Sequence, residues 1–295
     1  MALNEEMQTE ETERHSRGWK FTLHLIWNNP LMVVGLAAVC VLFVMAVFAP
    51  LISTHDPFKI NPPQRLKPPS ATYLLGTDVA GRDIFSRIVY GSRITLQVGI
   101  TVIILALLIG YVFGIVAGFF GGGVDELFMR ITDVFMSFPY LVLAMGLTVA
   151  LGPSIQNAML AMAVVWWPTY ARLIRSEVLK LRGRPFIYAS KGLGATNLFI
   201  ILRHILPNSW VPVIVQASLD FGRVIMYAAS LSFIGLGAQP PTPDWGAMIS
   251  DGRGFLEQAW WYPTFPGLAI MVTILGFNLV GDGLRDIFDP RLRRR

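Results

Sequence analysis

ITLQVGITVIILALLIGYVFGIVAGFF, residues 94–120, runs for 27 residues without a charge. A helix rises about 1.5 Å per residue, and roughly 20 apolar residues cross the hydrocarbon of a bilayer. This stretch therefore reads as a membrane-spanning helix, long enough to tilt or to project beyond the bilayer. Upstream, Leu31–Ile52 gives 22 more uncharged residues. Downstream come Val134–Leu151 and Ser154–Tyr170, joined by a short turn at Gly152 and Pro153. Leu206–Ile234 is a fifth candidate in spite of Asp220 and Arg223, and Tyr262–Val280 is the sixth. The expected fold is all-α: a polytopic membrane protein with six transmembrane helices.

Composition points the same way. Of 295 residues, 54% are hydrophobic and only 15% charged, with a mean hydropathy of +0.54. Soluble domains carry about 25% charge, so this chain lacks the polar surface to face water. A disordered chain is excluded, and so is a disulfide scaffold, since Cys40 is the one cysteine and sits in an apolar run. The net charge of +5 is not a nucleic-acid signal, because the basic residues collect beside the apolar segments, where they set orientation. Sixteen Lys and Arg fall on the side of the termini and seven on the other, with Arg223 inside a span. Both termini are therefore expected in the cytoplasm. The first apolar run follows a Glu-rich stretch and is too long for a cleaved signal, so it reads as a retained anchor. Residues 1–16 read as a mobile, solvated tail.

The chain then divides into a tail (1–30), a first helix (31–52), an outer linker with an amphipathic helix (53–93), a five-helix core (94–281) and a basic tail (282–295). The outer linker opens with Pro57, Pro62, Pro63, Pro68 and Pro69, which disfavour regular structure. Ile84/Ile88 and Phe85/Val89 then pair at i,i+4, so a short amphipathic helix is expected on the membrane surface. The cytoplasmic loop 182–207 carries a short helix opened by Pro185, with Gly192 and Gly194 allowing a sharp change of direction. Its small residues Ala189, Ser190 and Gly194 permit close approach by another surface, or the helix lies against anionic lipid. In the outer loop 235–246, three prolines and three glycines fix an irregular path, and Trp245, Trp260, Trp261 and Tyr262 fit a belt at the headgroups.

Within the spans, Gly110, Gly114 and Gly118 form a smooth ridge for close helix packing, inside the chain or against a second subunit. Asp220 and Arg223 share a helix face, and charges at that depth pair or face a wet cavity. No phosphate-cradling G-x-x-x-x-G-K-[ST], no H-E-x-x-H and no G-x-S-x-G occurs, and the four histidines are scattered. No catalytic residue, cofactor site or metal site is expected. Two classes remain: a transport subunit energised by other chains, or a stand-alone carrier or channel.

Several long runs now decide between them. They are Leu75–Asp78, Gly81–Asp83 and Tyr90–Arg93; then Gly121, Gly122, Asp125, Met129, Arg130 and Asp133; then Leu231–Pro241 and Asn278–Asp286, ending at Asp289 and Pro290. From about residue 30 to 290 the chain resembles the C-type inner-membrane permeases of dipeptide/oligopeptide ABC importers, a family that includes nickel and glutathione systems. The resemblance implies a type I ABC transmembrane domain in a bacterial inner membrane. It implies a second, B-type permease, two cytoplasmic ATPases that hold the ATP and magnesium, and a periplasmic substrate-binding protein. It also implies an "EAA" loop that docks on the ATPase, here Tyr188-Ala189-Ser190 with Gly194 as its glycine and Leu206-Pro207 closing it; Phe186 and Gly192 complete the expected docking residues. The customary Glu is Tyr188, which exchanges an ion pair for an aromatic anchor. Peptides are the leading substrate, with nickel chelates and glutathione as the alternatives.

Overall fold

The computed structural model describes Trp27 and residues 29–288. The expected tail 1–16 and the closing Arg291–Arg295 lie outside the described residues. The described chain is largely helical in all six expected segments, and their breaks and partners are what the fold adds.

Helix α1 spans Pro30–Val47. The Asn29 side chain accepts a hydrogen bond from the Met32 N–H at 3.1 Å, and Pro30 occupies the first turn, where no N–H is needed. The expected first span ends in a separate turn, Ala49–Ile52, because Pro50 supplies no N–H to continue the ladder. Helix α2 spans Ile84–Phe120, 37 residues or about 55 Å, well beyond the hydrocarbon thickness. It absorbs the amphipathic stretch expected as a separate surface helix. Ile84, Ile88 and Val89 are buried under the loops of this end of the bundle, not on lipid. We call this the loop end.

Helix α3 (Gly122–Met136) and helix α4 (Tyr140–Leu151) meet at 87°. The expected straight span 134–151 is thus corrected to a bent pair. Pro139 cannot donate and disfavours the helical conformation at Phe138, which breaks the ladder there. Helix α5 spans Ile155–Arg182, so the expected fourth span is only its first half. Helix α6 is Pro185–Gly192, helix α7 Trp210–Phe233, helix α8 Trp245–Gly252 and helix α9 Trp261–Phe288. Among the described residues, α1, α2, α7 and α9 are long and apolar enough to cross a membrane, and α3–α4 make a fifth crossing if taken as one bent span. Helix α5 fails that test for a physical reason. It is the central helix, with Met162, Trp166, Tyr170, Ile174 and Val178 buried against protein, so it needs no lipid-compatible surface.

The α2–α5 seam is closely packed along three turns. A Cβ on Gly110 would lie 2.6 Å from the Tyr170 Cβ, on Gly114 2.8 Å from the Ile174 Cβ, and on Gly118 2.9 Å from the Val178 Cβ. Three glycines one turn apart thus face three positions one turn apart on α5. The ridge packs within the chain, and the second-subunit alternative is set aside. The other half of the bundle joins α1, α7 and α9, with Phe221 stacked on Phe277 at 3.9 Å between ring centres.

At the loop end the run 76–87 closes into a buried ionic knot. Asp78 accepts from Arg82 Nε at 2.6 Å and from the N–H groups of Ala80 and Arg82, and Arg87 Nε lies 3.7 Å away. Arg87 Nη1 donates to the carbonyls of Pro57 at 3.2 Å and Pro241 at 3.4 Å, tying both outer loops to α2. Asp83 caps α2, accepting from the Ser86 N–H and from Thr54 Oγ1, each at 3.0 Å. Gly81 adopts φ +75°, and any Cβ there would strike the Asn61 carbonyl. The tryptophan belt is corrected in the same region. Trp245 is buried and donates to the Ile88 carbonyl at 3.0 Å, Trp261 and Tyr262 are buried beside it, and only Trp260 is half-exposed. Removing one partner of a buried ion pair costs about 3–5 kcal/mol. Asp78→Ala, which leaves two buried guanidinium groups without their carboxylate, is therefore expected to lower thermal stability by that order, read as the temperature at which the purified protein loses monodispersity.

Candidate functional site

Two places stand out, a projecting foot at the end of the bundle opposite the loops and a charged stripe at the middle of α7. The foot begins where α5 stops. Gly183 and Arg184 form a two-residue link, and Pro185 opens α6 at a position whose N–H would have no partner. Ile187 is completely buried and, with Ile200 and Ile205, roots the foot in the bundle. The end of α6 is a full Schellman turn: Ala195 N–H donates to the Ser190 carbonyl at 3.1 Å and Gly194 N–H to the Lys191 carbonyl at 2.9 Å. Gly194 carries the left-handed residue of that turn at φ +82°, in open space. Thr196 then caps a short turn, Asn197–Ile200, and a wide turn, Ile201–Ile205, leads into α7.

The foot presents apolar side chains outward. Leu193 is 89% exposed and Tyr188 63%, with Phe186, Leu198, Phe199 and Leu202 exposed around them. Arg182, Arg184, Lys191 and Arg203 belong to the same stretch of chain, with Lys191 Nζ 5.4 Å from the Phe119 ring centre of α2. Of the expected docking residues, Phe186, Tyr188, Ala189, Gly192 and Gly194 lie on the outside of the foot. Ser190 is half-buried, with its hydroxyl 3.4 Å from His204 Nε2. His204 also meets the ring edges of Phe186 and Phe199, and its carbonyl accepts from Asn208 Nδ2 at 2.6 Å. It therefore connects α6 to the approach to α7. Sequence reading missed Ile187, Leu193 and His204. The only signal for them was apolar spacing around Tyr188, which does not say which side is rooted.

On α7, Asp220 and Arg223 do pair, Nη1 to Oδ1 at 3.3 Å, but unequally. Asp220 is fully buried, with Trp166 and Tyr170 of α5 beside it and Gln216 Nε2 donating to its second oxygen at 3.1 Å. The Arg223 side chain is 60% exposed. Nearby, Tyr140, Trp166 and Tyr227 form an aromatic cluster that joins α4, α5 and α7, with ring centres 5.4 to 6.5 Å apart. One to two turns nearer the foot, a cavity of about 450 Å³ opens between α7 and α9, lined by Pro212, Gln216, Leu219, Arg285 and Phe288.

At the loop end, Asp244 caps α8 by accepting from the Ala247 N–H at 2.9 Å. Burial pushes its carboxyl above the usual carboxylate range, against the pull of that N–H, the Ser232 hydroxyl and Arg87. These groups fasten the outer loops.

Comparison with known proteins gives a consistent set of likenesses. Residues 110–294 match the profile described as binding-protein-dependent transport system inner membrane component. Residues 19–69 match that of the N-terminal TM domain of oligopeptide transport permease C. The chain is 47% identical over 275 residues to the dipeptide transport system permease protein DppC of Alkalihalophilus pseudofirmus, covering 93% of this chain and 90% of that one. It is 45% identical over 296 residues to the probable D,D-dipeptide transport system permease protein DdpC of Escherichia coli K12, covering 99% and 98%. Among solved structures, an inward-facing form of the MetNI methionine ABC transporter aligns with a TM-score of 0.57 at 20% identity. The match covers 69% of this chain and 97% of that one, a likeness of fold.

Proposed function

Because the chain belongs to the family of binding-protein-dependent transport system inner membrane components, we propose that it is one permease subunit of an ATP-driven importer that passes di- or oligopeptides across a bacterial inner membrane. The peptide reading rests on the relatives that are dipeptide permeases. Its partners are a second permease, two ATPases that bind and hydrolyse ATP with magnesium, and a binding protein that delivers substrate from outside. Both termini and the foot face the cytoplasm, and the knotted loop end faces the binding protein.

The observation that carries this reading is the foot. An exposed apolar patch at the end of a membrane bundle marks a protein-docking surface more than a free one. The mechanism follows from how the foot is attached. Helix α6 hangs from α5 by two residues and reaches α7 through His204 and the wide turn, so a displacement of α6 moves both. Helix α5 carries α2 through the glycine seam, and α7 carries α9 through the Phe221–Phe277 stack. The foot therefore drives two halves of one gate. ATP binding in the partner chains acts by contacting the foot differently in the two states, with no chemical step in this chain.

The test is reconstitution of this chain in vesicles with its partner permease, ATPases and binding protein. Peptide uptake is expected only with ATP and the binding protein both present. Uptake by the purified chain alone down an ion gradient would make it a carrier and overturn the reading.

A further inference from the structure

We propose that Arg223 is a binding residue of the translocation path and takes the carboxylate of the passing peptide; this rests on the peptide-import reading above. Arg223 lies thirteen residues into α7 and ten from its end, about 20 Å and 15 Å along the axis, so it sits near mid-membrane. A guanidinium at that depth does not tolerate lipid and turns to a wet cavity or to a counter-charge. Its counter-charge, Asp220, is already shared with Gln216 and engages only one guanidinium nitrogen, at 3.3 Å. Among the described residues the other N–H groups of Arg223 meet no acceptor, and its side chain is 60% exposed while Asp220 is buried. Asp220 thus holds the fork in place from behind and leaves its open side for an anion.

The surface around Arg223 has the form of a path. Pro212, Gln216, Leu219, Arg223, Met226 and Ser230 recur at three- and four-residue spacing and so share one stripe of α7. The foot-end part of that stripe lines the 450 Å³ cavity, where Arg285 of α9 adds a second cation. Every unmodified peptide ends in a carboxylate whatever its side chains, and a planar guanidinium binds that group through two parallel hydrogen bonds. One arginine at the midpoint therefore serves peptides of any sequence and leaves side-chain selection to the binding protein.

The assembled permease–ATPase complex tests this without the binding protein. The probe is the photoreactive tripeptide alanyl-benzoylphenylalanyl-alanine, and the readout is label on α7. Trialanine is expected to compete about tenfold better than its C-terminal amide, the factor that a charge-assisted hydrogen bond carries. Arg223→Gln is expected to erase that preference, and Arg223→Lys to keep part of it. Equal competition by acid and amide in the wild-type complex overturns the inference whatever the variants do. If that equality is accompanied by failure of Arg223→Gln to join the second permease, the guanidinium pairs with that chain instead. Uptake of the unlabelled tripeptide by the complete wild-type system is measured alongside. If it is absent the peptide-import reading fails, whereas uptake without an acid preference at α7 sinks only the role of Arg223.

Discussion

Gly114→Leu is expected to remove nearly all folded permease from the membrane. The first atom added at Gly114 lands 2.7 Å from the Ala171 carbonyl and 2.8 Å from the Ile174 Cβ. Both belong to the framework of α5, so neither can swing aside as the end of a flexible side chain does. The helices must part along a seam that Gly110 and Gly118 hold equally close, and dispersion contacts are lost over its whole length. Overpacking of this kind costs about 1–3 kcal/mol even where neighbours yield, and more here. Each 1.4 kcal/mol is roughly a tenfold change in the ratio of folded to unfolded chain, and a marginally stable chain has few such factors to lose. The measurement is the monodisperse peak of the purified protein in detergent. Gly146→Ala is the control, since nothing in the chain lies within 4 Å of its added Cβ, and it should be neutral or slightly stabilising. A wild-type peak for Gly114→Leu would mean that α2 and α5 do not touch as described.

The second large effect belongs to the foot and leaves the fold alone. Gly194→Val meets no neighbour, so any consequence is conformational. At φ +82° a β-branched residue is a steric outlier, and the left-handed conformation costs about 1–2 kcal/mol even for ordinary L-residues. The Schellman turn opens and releases the hydrogen bonds from Gly194 and Ala195, and α6 loses its fixed attitude toward the bundle. Peptide uptake in the reconstituted system is expected to fall at least about tenfold, with insertion, assembly and basal ATP hydrolysis retained. Gly194→Asn, which accepts the left-handed conformation, should keep most of the uptake. If the valine variant imports peptide as the wild type does, the foot is not the coupling element.

Much of the fold can be read in the chain because lipid is an undemanding solvent to predict. A lipid-facing helix must be apolar along its length, so 31–52 and 94–120 declare themselves. Helix α5 declares itself only over its first half, because its second half carries Arg172, Arg175, Lys180 and Arg182. The bend at 137–139 could have been suspected from Pro139, but an apolar tally does not register a break. The amphipathic pairs at 84–89 were real, yet periodicity cannot say whether lipid or a folded loop covers them. The tryptophans pose the same question, and Trp245 and Trp261 proved to be held by backbone carbonyls within the protein.

The foot was legible in its boundaries. Pro185 fixes where α6 can begin and Gly194 where it must turn, since both act through backbone geometry that one residue controls. Its orientation was not legible, because the burial of Ile187 and the exposure of Leu193 depend on elements elsewhere in the chain. Asp220 and Arg223 could be paired from their three-residue spacing. That the carboxylate is sealed in and the guanidinium left open follows from α5 packing behind Asp220, which no local pattern encodes. By itself, the sequence determined what each segment is and what solvent it suits, because backbone chemistry and hydropathy act locally. Only the tertiary structure decided which face meets protein, which meets lipid and which stays open, because burial is a property of neighbours distant in the chain.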